Sequence, residues 1–427
     1  MPLTAHQEEK KREILHLVED EGHTRVLLLG SAGTGKTFLS SELMKEIKKS
    51  YTFNKRFNNG LVFATAPTHK ALSVLKSKIK QNVEFSTIHS ALDVKPGNPD
   101  KKTGLRQFVR IPRRNNPFPK AKAAILDECS MVENKLVQFL DNANDFPFPI
   151  ILLGDSKQLS PVGEDISPVF NRNYPIVELT EIIRQGAGNP IIELSDDLDL
   201  VYFKEPNIIN GKGYVYTHNK QQIIEDLCEV NGTDELKYLA LTNDEVDAMN
   251  KTVRETIYSN PMKVEEGETI VFNEPYGNYY TNQEVKVEVL EIVTDFVPIP
   301  TERTRMVNGE PTGKVDWIKM KFYRVNDSIN IIHEHSIYLF SVILKELINN
   351  CKNHDWDWKS RYWYEEQFAK ISYNHALTVN KSQGSTYKTT ILNIADIHIA
   401  PKMDSIRRLL YTGITRASDL VVLYNVK

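Results

Sequence analysis

Cysteine is scarce in this chain. Only Cys129, Cys228 and Cys351 occur in 427 residues, too far apart in sequence to form a metal-ligand cluster. The expectation is a reduced, cytoplasmic protein without structural zinc. Long apolar runs are missing too: none approaches the ~18–20 residues that cross a bilayer. The greasiest stretch, Tyr338 to Leu347, is broken by Ser341 and Lys345. The N-terminal MPLTAHQEEKKR has no apolar core of the kind a secretory signal needs. Nor is there a global basic field. Lys and Arg number 53 against 56 Asp and Glu, a net charge of −3, so net charge announces no nucleic-acid partner. What is present is an ordinary globular composition, 41% hydrophobic and 26% charged. The length suits about two to four domains.

Residues 1–260 repeat one pattern, in which short apolar runs end in small or polar residues and helical periodicity follows. The runs are Val26–Leu29, Leu61–Ala64, Ala123–Leu126, Ile150–Leu153, Ile176–Leu179 and Tyr238–Leu241. Continuous apolar strands alternating with helices predict parallel sheets covered on both faces. Leu39, Leu43 and Ile47, each four residues apart, would pack one such helix on its sheet. From about 261 to 372 the pattern changes. Alternating segments at Glu284–Leu290 and Trp317–Tyr323, with a turn at Asn308-Gly309, predict an antiparallel β-unit. A helix over Ile337–Cys351 and an aromatic-rich run follow. Buried-strand patterns return at Thr390–Ile394 and Leu420–Tyr424, so the middle segment reads as an insertion into a second α/β domain.

GSAGTGKT, Gly30 to Thr37, fits G-x-x-x-x-G-K-[ST] between a strand and a helix, the context that motif requires. The backbone N–H groups of Gly30, Ser31, Ala32, Gly33, Thr34 and Gly35 would wrap the phosphates of ATP. Lys36 would reach the β- and γ-phosphates, and Thr37 would bind Mg²⁺. Strand Ala123–Leu126 ends in Asp127 and Glu128, which suit a Mg²⁺ ligand and a base for the attacking water. Gln158, beyond the strand Ile150–Leu153, could contact the γ-phosphate. Gly30, Asp127 and Asp155 all follow the carboxyl ends of predicted parallel strands, where ligands of open α/β sheets bind.

Eight segments then appear in order: GSAGTGKT, APTHKA (66–71), STIHS (86–90), LDECSM (126–131), GDSKQLSPV (154–162), LTEIIRQ (179–185), LTVNKSQGSTY (377–387) and LLYTGITRAS (409–418). With them nearly the whole chain resembles the superfamily 1 helicases, in their RecD-like branch. The resemblance implies two RecA-like P-loop NTPase domains, at 1–180 and at 181–260 plus 373–427. It implies a short β-hairpin pin in the basic segment 91–122, and a small β-barrel with a helical extension at 261–372. It further implies ATP hydrolysis coupled to 5′-to-3′ translocation on single-stranded DNA, with strand separation at a fork. Arg184 and Arg416 would neutralise charge in the transition state, and Gln383 and Gly384 would line the same cleft. Gln7 would read adenine, although Thr4-x-x-Gln7 is equally a helix-capping box.

By the same resemblance Thr65, Pro67, Thr68, His69, Thr87 and His89 would touch the strand from the first domain. Thr242, Asn243, Thr378 and Lys381 would do so from the second. Asn380 departs from the pattern, standing where many RecD-like relatives have histidine. Charge adds a separate argument. Asp93 to Lys122 holds nine Lys or Arg against two acids, a local +7 that favours phosphate contact. Phe108 in this segment is the candidate pin aromatic. The aromatic run Trp356 to Phe368 would pack in the extension that braces the pin. Replication or single-strand-binding proteins are conceivable partners, the expected state is a monomer, and no membrane is involved. An ATP-regulated single-strand clamp and a P-loop kinase are the alternatives that share the loop.

Overall fold

The structure is a computed structural model that describes residues 2–50, 60–80, 82–142, 144–161, 163–181, 189–259, 261–301, 305–307, 310–312, 315–354 and 356–426. Six parallel strands make the first sheet, in the order Glu84–Thr87, Val62–Ala66, Ala123–Leu126, Ile150–Gly154, Arg25–Gly30, Ile176–Leu179. Strand alternation divides the apolar residues between two layers. Val26 and Leu28 share a core with Leu39, Leu43 and Ile47 of helix Lys36–Lys49. Leu27 faces the other way, in the cluster of Ile88, Phe118 and Phe146. The apolar runs expected as strands are strands, shifted at their ends by no more than three residues. Glu84–Thr87 escaped notice because it is a partly exposed edge strand with no apolar run.

The second sheet runs Ala376–Thr378, Leu236–Ala240, Tyr387–Asn393, Ala417–Tyr424, Lys212–Thr217, all parallel, and Asn207–Ile209 adds an antiparallel edge. Helix Met403–Ile414 packs on it through Ile406, Leu409 and Leu410. The two RecA-like sheets and their helices lie in one compact unit, Met1–Val94, Ile111–Met249 and His375–Lys427.

Lys95–Arg110 and Asn250–Asn374 form a second unit. Here the expected strand Glu284–Leu290 is corrected to two. Glu284–Lys286 pairs with Thr269–Phe272, and Leu290–Pro300 pairs with Val315–Val325. Between them the Asn326 side chain accepts from the amides of Glu288 and Val289, and Val287 turns fully inward, so the chain changes sheets. Two three-stranded antiparallel sheets thus enclose one core of Val264, Ile270, Phe272, Tyr323 and Val325. Helix Glu334–Asn353, longer than the expected Ile337–Cys351, covers the opposite face of the long ribbon with Tyr364 and Phe368. The Asn308-Gly309 turn lies outside the described residues.

The basic insertion is a hairpin of Val94–Pro99 and Arg106–Arg110, shorter than the expected 91–122. Ile111–Lys122 returns to the first domain and buries Phe118. The neck is closed. The Ile111 amide donates to the Asp93 carbonyl at 3.0 Å, and Arg113 pairs with the Asp93 carboxylate; against burial, hydrogen bonds from Arg113 and Asn116 hold that carboxyl below the usual carboxylate range. At the hairpin's far end Trp358 donates to the Lys101 carbonyl at 3.0 Å and Tyr362 to that of Gly104 at 2.8 Å. Arg106 stacks over Tyr362 and pairs with Glu366. At least three of the nine cations in Asp93–Lys122 therefore have internal duties, among them Arg106, Arg113 and the buried Lys122, which donates to the Lys48 carbonyl. That reduces the +7 available to an outside phosphate chain.

Candidate active site

Parallel strands bring Gly30, Asp127 and Asp155 to one sheet edge. Gly33 and Gly35 there adopt left-handed backbone, φ 87° and 82°, which only glycine takes cheaply. Gly35 caps helix Lys36–Lys49 without a side-chain bond, leaving N–H groups and the positive end of the helix dipole to face the cleft. Lys36 Nζ lies over its own loop, donating to Gly30 O at 2.5 Å and Ser31 O at 3.1 Å. The Thr37 hydroxyl donates to Asp127 Oδ2 at 3.2 Å. That oxygen pair suits Mg²⁺, which binds through one or two carboxylates and completes its shell with water and phosphate oxygens.

Glu128 follows in left-handed backbone, φ 52°. Burial first, then the neighbouring Asp127 charge, pushes its carboxyl pKa up, while Arg416 and Lys36 pull it back. Gln158 is 4% exposed, and its Oε1 finds no partner among the described residues. These groups line a cavity of about 350 Å³ with Gln7, within the range of small-ligand sites. The second RecA-like domain supplies Gly384, Ser385, Thr415 and Arg416 to the same cavity. Arg416, 5% exposed, is anchored by Thr412 O at 3.2 Å and Ser385 O at 3.2 Å.

Gln7 takes the expected capping position and also lines the cavity. Its amide completes a capping box with Thr4, and its Nε2 donates to Thr34 O of the phosphate loop at 3.3 Å. Gln383 sits behind the cavity wall rather than on it, donating to Leu159 O at 3.4 Å. Arg184 lies outside the described residues. Sequence reasoning missed Tyr411. Its hydroxyl donates to Asp155 Oδ2 at 2.7 Å and accepts from the Ala32 amide at 3.2 Å. The signal was its helical spacing from Arg408, Thr412 and Thr415 in front of Arg416.

The threonines expected to touch a strand are mostly helix caps. Thr68, Thr87 and Thr378 accept from the amides of Ala71, Ser90 and Lys381. Thr242 caps the helix beginning at Asn243 and bonds Asp396 at 2.8 Å. Thr65 is a correction. It is fully buried and its hydroxyl donates to Ile125 O at 2.7 Å, so the side chain is spent inside the sheet. His89 bonds the backbone of Pro67, which joins two of the expected segments, and burial lowers its pKa. His69 and Asn243 are exposed, whereas Lys381 is half-buried and its pKa is lowered by burial. Phe108 is 44% exposed on its hairpin strand.

Residues 3–200 match the AAA domain family, and residues 373–424 match the UvrD-like helicase C-terminal domain. The ATP-dependent DNA helicase dda of Enterobacteria phage T4 is 28% identical over 97% of this chain and 97% of its own length. RecD of the Haemophilus influenzae RecBCD enzyme is 22% identical over 93% of this chain and 66% of its own. The chain belongs to the superfamily 1 helicases. The solved Pif1 helicase from Bacteroides in complex with ADP-AlF3 and ssDNA superposes on this helicase chain with a TM-score of 0.52 at 16% identity. That superposition covers 99% of this chain and 92% of the other, and it supports the fold. In this helicase chain the C-terminal match contains Gln383, Gly384, Tyr411 and Arg416, so the second domain's share of the cavity falls within a helicase-type segment. No helix among the described residues is long and apolar enough to cross a membrane.

Proposed function

We propose that the protein is an ATP-dependent DNA helicase that moves 5′-to-3′ along single-stranded DNA. One observation carries the reading: Lys36 and Glu128 from one RecA-like domain and Arg416 from the other line a single cavity. Lys36 exchanges its loop carbonyls for the β- and γ-phosphates of ATP. Thr37 and Asp127 would hold Mg²⁺, which neutralises charge on those phosphates. Glu128, whose basicity burial raises, orients the attacking water and as a carboxylate takes its proton, and Gln158 steadies that water. Arg416 offsets charge on the transferring phosphoryl group, a role worth about 10³–10⁵ in rate in well-studied systems. Because this cation comes from the second domain, hydrolysis requires the two domains to be drawn together, and product release lets them part. Segments around Thr68, His89, Thr242 and Lys381 grip the strand alternately, with Phe108 at the fork. The relatives named as ATP-dependent DNA helicases support this reading, and the RecD-like resemblance supports the polarity.

The test pairs two assays on the full chain. Single-stranded DNA should stimulate ATP hydrolysis, and Lys36→Ala should abolish it. The protein should dislodge streptavidin from a 3′-biotinylated strand but not from a 5′-biotinylated one. Displacement from the 5′ end alone reverses the polarity. Hydrolysis indifferent to DNA removes the motor and favours a P-loop kinase. Stimulated hydrolysis with no displacement from either end leaves an ATP-regulated clamp.

A further inference from the structure

One face of helix Met403–Ile414 holds the loop that carries Gln158. Arg408 donates from Nη1 to Ser156 O at 2.6 Å and to Gln158 O at 2.8 Å. Tyr411, three residues on, reaches Asp155 and the Ala32 amide at 2.7 and 3.2 Å. Thr412, next along, accepts from the Leu159 amide at 3.2 Å. Spacings of three and four residues put these groups on a single helical stripe. Arg416 follows directly beyond its end. The two domains therefore meet through hydrogen bonds from one rigid element to an otherwise irregular segment, Asp155–Leu159.

Tyr411 is the only group in this stripe that touches both the phosphate loop and an acid beside Glu128. It is 2% exposed, and burial with the Asp155 charge keeps its hydroxyl protonated, so it remains a donor. Asp155 acts on the Glu128 carboxyl through its charge. We propose that Tyr411 is a positioning residue. Through its hydroxyl, helix Met403–Ile414 sets the phosphate loop at Ala32 and the Asp155–Gln158 segment in register with Arg416. Closure of the second domain then moves arginine, glutamine and loop as one body. The inference rests on the reading of a hydrolytic cleft shared by two domains, and assigns to the shared edge the task of assembling it.

Tyr411→Phe deletes the hydroxyl and keeps the ring. With saturating single-stranded DNA, kcat for ATP should fall about 10- to 100-fold, the scale of a lost hydrogen bond to a charged group. KM for ATP, affinity for ADP and affinity for single-stranded DNA should stay within about two-fold, since only transition-state assembly is disturbed. Arg408→Gln should show the same restricted loss, which guards against a folding defect in the first variant. In a double-mutant cycle, Tyr411→Phe added to Asp155→Asn should cost little beyond Asp155→Asn alone. Wild-type turnover in Tyr411→Phe overturns the proposal. So does a KM that rises as kcat falls, which marks loosened packing, and so do fully multiplicative losses in the cycle. A wild-type chain without DNA-stimulated hydrolysis would instead sink the motor reading itself.

Discussion

At the scale of single residues, ionisable groups in this chain are tuned by what buries them. Desolvation and the Asp127 charge raise the proton affinity of the Glu128 carboxylate, which favours a general base for water. His333 is tuned the other way. Burial lowers its pKa, and its neutral Nδ1 accepts from the His335 amide to cap helix Glu334–Asn353. A histidine whose folded pKa lies below its unfolded one takes up protons preferentially in the unfolded chain. Its contribution to stability is complete above about pH 6.5 and is lost as pH falls through the folded value. His333→Asn keeps a capping oxygen and removes the titration. Its melting temperature should therefore drop less than wild type between pH 7.5 and 5.5; equal drops would show that His333 does not titrate against the fold. Residue identity was legible where chemistry is local, as in Lys36, Thr37, Asp127 and Glu128. It was illegible for the threonines, because a cap and a strand contact demand the same hydroxyl, and cap bonds such as Thr68 to Ala71 become visible only in the structure.

At the scale of elements, apolar patterning foretold both sheets, since a strand buried on two faces must be apolar along its length. Half-exposed pieces carried no such mark. The pin hairpin is held instead at its turn, where the carbonyls of Lys101 and Gly104 accept from Trp358 and Tyr362, more than 250 residues away in sequence. Resemblance placed that aromatic run in the extension that braces the pin, but not its particular partners, the Lys101 and Gly104 carbonyls. Gly104 sits at the contact with φ 69°, and a Cβ there would come 2.4 Å from the Trp358 ring. Gly104→Ala should therefore cost about 1–2 kcal/mol in backbone strain and displace the indole besides. Hydrogen exchange at Lys95–Arg110 should speed up in this variant, while exchange in Arg25–Gly30 stays unchanged. Unaltered exchange in the hairpin would mean that Trp358 does not hold it. Tyr411 was hidden for a related reason: its partners Asp155 and Ala32 lie 256 and 379 positions away.

At the scale of the molecule, each RecA-like domain supplies part of a cavity that neither would complete alone. The first contributes from the carboxyl edge of its sheet, with Gly33, Lys36 and Asp127. The second contributes from the opposite edge of its own, with Gly384 before strand Tyr387–Asn393 and Arg416 before Ala417–Tyr424. The carboxyl edge of the second sheet carries Thr242 and Thr378, so the proposed strand contacts lie at the end of that domain opposite its share of the cavity. Sequence order revealed this division through its motifs, whereas its handedness required the strands.

The neck at Asp93 and Ile111 gives the pin a further property. A peptide that leaves and re-enters through one hydrogen-bonded pair is a graft, and the sheet beneath has no stake in its length. A change in the hairpin's length there costs the contacts that Trp358 and Tyr362 make at its far end, not the pairing of the first sheet. Replacing Lys95–Arg110 with a short Gly-Ser bridge should accordingly leave DNA-stimulated hydrolysis within about two-fold, because a short loop between closed ends costs little to close. Strand separation on forked DNA should be lost. Retained separation would mean that this cutting edge is not the part that parts the duplex.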